Sequence, residues 1–150
     1  MSNAAQTGPD DRDQVVTARL RWVLAPIGGL VAWYATLFLG LVAVGLLDSM
    51  CPPDEMVSGM CQADWYEPAF DALVAVFSGI AAVLVVLVPA LIAPTHRLRM
   101  AWIAYGVGAT VAACFALGSS SLHPPAAAAL LGGATAVALA HRLWPRNQET

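Results

Sequence analysis

The chain has 150 residues, of which 59% are hydrophobic and only 11% are charged, and its formal net charge is −3. Soluble globular domains average about 45–50% apolar and about 25% charged residues, so this composition excludes an ordinary soluble domain and indicates a membrane protein. The chain has no lysine, and its arginines form no clustered face with stacking aromatics, which argues against nucleic-acid binding.

The N-terminal segment 1–18 is polar and contains a cluster of acidic residues. Such a segment buries too little apolar surface to order itself, so we predict a flexible cytoplasmic tail. The apolar run 22–47 that follows is much longer than the 7–15 residues of a signal-peptide core, and no convincing cleavage site precedes Asp48. We therefore predict that this run is retained as a transmembrane helix.

Three more apolar runs follow, and each is long enough to cross a bilayer, which takes about 20 residues in a helix. Pro68, with acidic residues close by, is a typical start signal for the second helix. The prediction is an all-α integral membrane protein, an up-down bundle of four transmembrane helices in one domain over 19–146, followed by a tail at 147–150. The predicted helices are 22–47, 68–93, 98–118 and 124–144.

Small residues recur at four-residue spacing along the predicted helices. This spacing lets neighbouring helix backbones approach closely in lipid, where no hydrophobic effect drives helices together. Helix 1 carries Gly28 and Gly40 in such a file, and helix 3 carries two files, so helix 3 is expected to contact two neighbours. We expect the closest crossings at Gly108 of helix 3 and Gly132 of helix 4.

The arginines predict the orientation in the membrane. All seven lie before the first helix, at the turn that joins the second and third, or at and just after the end of the fourth, and the connections 48–67 and 119–123 have none. Because positive charge marks cytoplasmic loops, both termini are predicted to be cytoplasmic and both arginine-free connections to lie outside. A bacterial inner membrane fits this pattern.

The outer loop 48–67 contains two of the three cysteines, Cys51 and Cys61, with proline and glycine between them. On the oxidising side of a membrane such a pair is expected to form a structural disulfide. A redox-active pair is disfavoured because the spacing is not C-x-x-C and no basic neighbour would lower a thiol pKa. The third cysteine, Cys114, is predicted to be an inert packing residue of helix 3.

The methionines of the outer loop allow a competing interpretation. Thioethers and thiolates are soft ligands that select Cu(I), and His123 on the other outer connection could add an imidazole to Met50, Met56 and Met60. A disulfide would remove both thiolates, so the two interpretations exclude each other. Otherwise these methionines form a contact surface for a partner or for the membrane interface.

Three carboxylates stand near the predicted start of helix 2. Asp64, Glu67 and Asp71 are spaced three and four residues apart and would share one face if the helix began at Asp64. The plainer interpretation is a favourable interaction with the helix dipole. The functional one is a contact face for a divalent cation or a cationic partner, although the spacing matches no calcium-loop motif.

The missing motifs limit the function. The first three spans contain almost no ionisable residue of the kind that proton relays and coupled transport need. No Ser-His-Asp set, HExxH, P-loop or GxGxxG is present, so neither an enzyme nor a cofactor is expected. We predict an accessory subunit, scaffold or interaction module whose outer loop meets another membrane or periplasmic protein, or a second copy. The alternative is an outward-facing protein that handles copper or a divalent cation.

Overall fold

The structure is a computed structural model that describes residues 9–93, 96–118 and 123–144, with the backbone alone for 9–15 and 17–19. Over these residues the chain forms four α-helices and a short hairpin between the first two. The elements are α1 Pro9–Ser49, a 3₁₀ turn Pro53–Glu55, β1 Met56–Val57, β2 Met60–Cys61, α2 Tyr66–Ile92, α3 Arg97–Gly118 and α4 His123–Leu143. The predicted tail 147–150 and all of the connection 119–123 except His123 lie outside the described residues.

Each helix contains a stretch long and apolar enough to cross a membrane, which is compatible with an integral membrane protein. The four stretches are Leu20–Ser49, Tyr66–Ile92, Arg97–Gly118 and His123–Leu143. The four predicted helices are therefore confirmed. The bounds of α2, α3 and α4 fall within about two residues of the predicted ones, which is the usual uncertainty of helix ends.

Helix α1 begins at Pro9, well before Trp22, so residues 9–18 of the predicted tail are helical. Proline is favoured at the first helical position because its missing N–H would have had no acceptor within the helix. No glycine or further proline stands between Pro9 and Pro26 to interrupt the helix. Residues 1–8 of the predicted tail lie outside the described residues.

Helix α2 is the centre of the arrangement. It packs against α1, α3 and α4, and α3 packs in addition against α4, whereas α1 has no comparable interface with α3 or α4. The buried core lies where α2, α3 and α4 meet, and small side chains dominate it, as expected for helices that pack in lipid. Its members are Val86, Ala90, Leu98, Ala101, Ala136, Val137 and Ala140.

A close crossing of two backbones joins Gly79 of α2 to Gly132 of α4. A β-carbon added to Gly132 would lie 2.5 Å from the carbonyl oxygen of Gly79 and 3.1 Å from its Cα atom, so no side chain fits there. The next residue, Gly133, faces the ring of Tyr105 on α3, where an added β-carbon would lie 2.6 Å from Cδ2. The adjacent residues Gly132 and Gly133 therefore let α4 lie close to α2 at one position and to α3 at the next.

The other predicted packing glycines have contrasting surroundings. A β-carbon on Gly28 would lie 2.5 Å from Cδ1 of Ile92, and one on Gly40 would lie 3.5 Å from the ring of Phe77, so both positions face α2. Nothing lies within 4 Å of such an atom on Gly108, where the sequence predicted a close crossing. Lipid-facing and helix-facing positions are both apolar, so the spacing of small residues does not show which face meets a neighbour.

Candidate functional site: the loop between the first two helices

The segment between α1 and α2 is a folded unit. Pro53 starts the 3₁₀ turn, and β1 and β2 then form an antiparallel hairpin in which Met56 pairs with Cys61 and Val57 with Met60. The amide of Gln62 donates a hydrogen bond of 3.0 Å to the carbonyl of Glu55, which extends the pairing beyond the strands. The sequence predicted an outer loop closed by a disulfide here, but neither the hairpin nor the 3₁₀ turn.

Two residues turn the chain at the tip of the hairpin. Ser58 has a φ of 53° and Gly59 a φ of 81°. Two-residue hairpin loops of type I′ require a positive φ at both central residues, because this backbone twist matches the twist of the two strands. The Ser-Gly pair, flanked by short apolar segments, is the signal from which this hairpin could have been predicted.

The predicted disulfide is present. Cys51 and Cys61 are bonded, with their Cα atoms 6.0 Å apart, and the bond joins the segment just after α1 to the second strand of the hairpin. The amide of Cys51 donates in addition to the carbonyl of Asp48, at 3.1 Å, so the disulfide is anchored to the end of α1. Cys114 on α3 is a free cysteine and is exposed.

A second link closes the base of the loop. The hydroxyl of Tyr66, the first residue of α2, donates a hydrogen bond to Oδ1 of Asp48 in the last turn of α1. The ring of Tyr66 also stacks on Phe70, with the ring centroids 6.2 Å apart. Sequence reasoning did not find this pair, because nothing in the sequence shows that the end of α1 and the start of α2 lie side by side.

The loop exposes apolar side chains even though its backbone is closed. Met50 is 71% exposed, Met60 65% and Val57 54%. Because Val57 and Met60 are directly opposite in the hairpin, their side chains share one of its faces. Met56 and Trp65 are exposed as well. The loop therefore exposes apolar side chains on both sides of the hairpin, and we call this set of residues the methionine face: Met50, Met56, Val57, Met60 and Trp65.

The acidic residues that follow the hairpin do not form the predicted three-residue row. Asp64 lies in the turn before α2, because the helix begins only at Tyr66, whose amide donates to the carbonyl of Ala63 at 2.9 Å. Glu67 and Asp71 are four residues apart on α2, and all three carboxylates are exposed. The shared helical face predicted for a helix starting at Asp64 is therefore limited to Glu67 and Asp71.

The residues of the predicted soft-metal site are in different situations. The two cysteines are oxidised to each other, and Nε2 of His123 lies 3.1 Å from the carbonyl oxygen of Ala116. Within 9–93, 96–118 and 123–144, no group of three or more histidine, cysteine, aspartate or glutamate side chains is placed to hold a metal. Copper binding by Met50, Met56 and Met60 with His123 stays a prediction.

Comparisons of the chain with models of protein families, with curated proteins and with solved structures find no match. The function is therefore argued from the geometry of the chain itself.

Proposed function

We propose that this is an integral protein of a bacterial inner membrane, with both termini in the cytoplasm and the loop 48–67 outside. The distribution of charge supports this orientation. Carboxylates with described side chains all lie within 48–71, from the last turn of α1 to the first turns of α2, whereas arginines with described side chains stand near the opposite ends of the four apolar stretches. Those arginines are Arg21, Arg97, Arg99 and Arg142. Positive charge is retained on the cytoplasmic side during insertion.

The orientation predicts the result of a reporter experiment. An alkaline phosphatase inserted between Ser58 and Gly59, at the tip of the hairpin, is expected to be active, because this enzyme folds only outside the cytoplasm. The same reporter fused after Thr150 is expected to be inactive, and a fluorescent protein there is expected to be bright. Phosphatase activity at both positions would contradict the proposed orientation.

The role that we propose is to hold another membrane or periplasmic protein, or a second copy of this chain, at the methionine face. The observation that carries this proposal is a loop fixed by a disulfide, a hairpin and the Tyr66–Asp48 hydrogen bond, with its apolar side chains still exposed. A surface ordered in advance loses less conformational entropy on binding. Methionine side chains adapt to the shape of a partner. The carboxylates of the loop favour a partner that carries basic residues at the edge of its contact surface.

A photo-crosslinking experiment tests this role in intact cells. A photoreactive amino acid at Met60 is expected to give one discrete crosslinked product, and the product should be lost when Val57 on the same hairpin face is changed to serine. A product of twice the mass of the chain would identify a second copy as the partner. Ser58→Gly is the matched control, because Ser58 is exposed at the tip of the same hairpin, carries no apolar side chain, and has a φ of 53° that glycine adopts readily.

The position of the crosslinker supplies the second control. Leu117 is 89% exposed on α3 and lies far from the loop along the chain. If a crosslinker at Leu117 gave the same product as one at Met60, the product would reflect random collision, and the proposal would be contradicted. So would the absence of any product from Met60.

A further inference from the structure

A positively charged site lies at the end of the molecule opposite the loop. Arg97 is the first residue of α3. Its guanidinium carbon lies 5.4 Å from the ring centroid of Trp144, and its Nε donates a 3.2 Å hydrogen bond to the carbonyl of Ala93 at the end of α2. The guanidinium is thus held by the end of α2 on one side and by the residue after α4 on the other.

This arrangement leaves the fork of the guanidinium available. Arginine has five N–H donors, and only the one on Nε of Arg97 is used. The four donors on its two terminal nitrogens have no partner among the residues that the structure describes. A planar fork of this kind matches two oxygens of a phosphate group. Because the contact with Trp144 and the bond to Ala93 already restrain the side chain, less of its freedom remains to be lost on binding.

Two more arginines add charge around Arg97. Arg99 follows on α3, and Arg142 lies in the last turn of α4, two residues before Trp144, and both are exposed. Where side chains are described, every carboxylate lies within 48–71, at the other end of the helices. Among the described side chains no acid compensates this charge, which favours an anion as the ligand.

We propose that this end of the α2–α3–α4 unit binds the phosphate of an anionic phospholipid, with Arg97 as its anchor. A lipid phosphate is favoured over a soluble one because Arg97 begins a helix that is long and apolar enough to cross a membrane, which places it at headgroup depth. Trp144 is the amphipathic residue expected at that depth. The site itself does not depend on the orientation proposed above. That orientation adds only that the lipid comes from the cytoplasmic leaflet, where anionic lipids attract basic segments.

The test uses the full chain in nanodiscs made of phosphatidylcholine and phosphatidylglycerol in equal parts. Native mass spectrometry after release from the disc measures the phosphatidylglycerol retained per protein. Arg97→Gln is expected to lower this retention about fivefold, the effect of one arginine near a charged membrane surface. Arg21→Gln removes an exposed arginine of α1, outside the site, and is expected to leave the retention unchanged.

Two further variants separate a built site from surface charge. Arg97→Lys keeps the charge and loses the planar fork, and Trp144→Leu keeps all three arginines and loses the ring beneath Arg97. Both are expected to lower retention, by less than Arg97→Gln. Since Trp144→Leu leaves Arg97 itself unchanged, it also tests the proposal if Arg97→Gln fails to fold.

Two results would overturn the proposal. Equal loss of phosphatidylglycerol in Arg97→Gln and Arg21→Gln would show that total charge, not this site, retains the lipid. Displacement of phosphatidylglycerol by inorganic phosphate at an equal concentration in detergent would show a site for a soluble anion.

Discussion

Replacing Gly132 by leucine is expected to destabilise the folded protein by about 1–3 kcal/mol or more, the usual cost of overpacking a close-packed interior. The first atom of any side chain there would lie 2.5 Å from the carbonyl oxygen of Gly79. That oxygen belongs to the backbone of α2 and cannot rotate away as a side chain could. Leucine can therefore be accommodated only if α2 and α4 separate, which also opens the core around Val86 and Ala136.

Gly108→Leu is the matched control for this prediction. Gly108 is likewise a glycine near the middle of an apolar helix, but nothing lies within 4 Å of an added β-carbon, so the expected change is within about 0.5 kcal/mol. The measurement is the unfolding of both variants in detergent, followed by circular dichroism. Equal stability of Gly132→Leu and the unchanged protein would contradict the crossing at Gly79, and so would equal destabilisation by both substitutions.

The second large effect is expected from Cys51→Ser. On the chain-entropy model, a disulfide that closes a loop of this size contributes about 2–3 kcal/mol, so its loss should release the hairpin. Amide exchange at Gln62, which donates to Glu55, is expected to become faster by a large factor. The four helices should stay inserted, because a helix satisfies its own backbone hydrogen bonds in lipid.

The state of the cysteines is measured by intact mass and thiol labelling of protein that has never been reduced. One reactive thiol is expected in the unchanged protein, at Cys114, and none in Cys114→Ser, which leaves the loop intact. Three reactive thiols in the unchanged protein would exclude the disulfide. The competing prediction, copper binding by the loop methionines with both thiolates, would then become the better account of the loop.

The helices could be predicted from the sequence because their signals are local. Pro68 and the arginines at 97 and 142 mark helix ends, and the apolar runs are too long to be anything but membrane-spanning or deeply buried helices. The disulfide was predictable for a similar reason, since compartment and short spacing already favour it. The start of α1 could not be predicted in the same way, because residues 1–18 are polar and the apolar run begins only at Trp22.

What the sequence could not predict is which surfaces meet. Gly106 and Gly108 look like packing residues by spacing, yet both have open space, whereas Gly79 and Gly133 touch a neighbouring helix. In a water-soluble protein, the polar side of a helix shows which side faces away from the core. In lipid both sides are apolar, so the sequence does not show which side meets a neighbouring helix. The Tyr66–Asp48 hydrogen bond was hidden for a comparable reason, because it depends on the angle between two helices.

The central position of α2 has a consequence for the order in which the molecule assembles during synthesis. α1 precedes α2 in the chain and can dock on it as soon as both have been inserted. The Gly79 surface of α2, however, must wait for Gly132, about 50 residues later in the chain. At the usual pace of translation this delay lasts roughly 3–10 s. For those seconds the Gly79 surface of α2 is not yet covered by α4, and the rate of translation sets the time at which α4 can cover it.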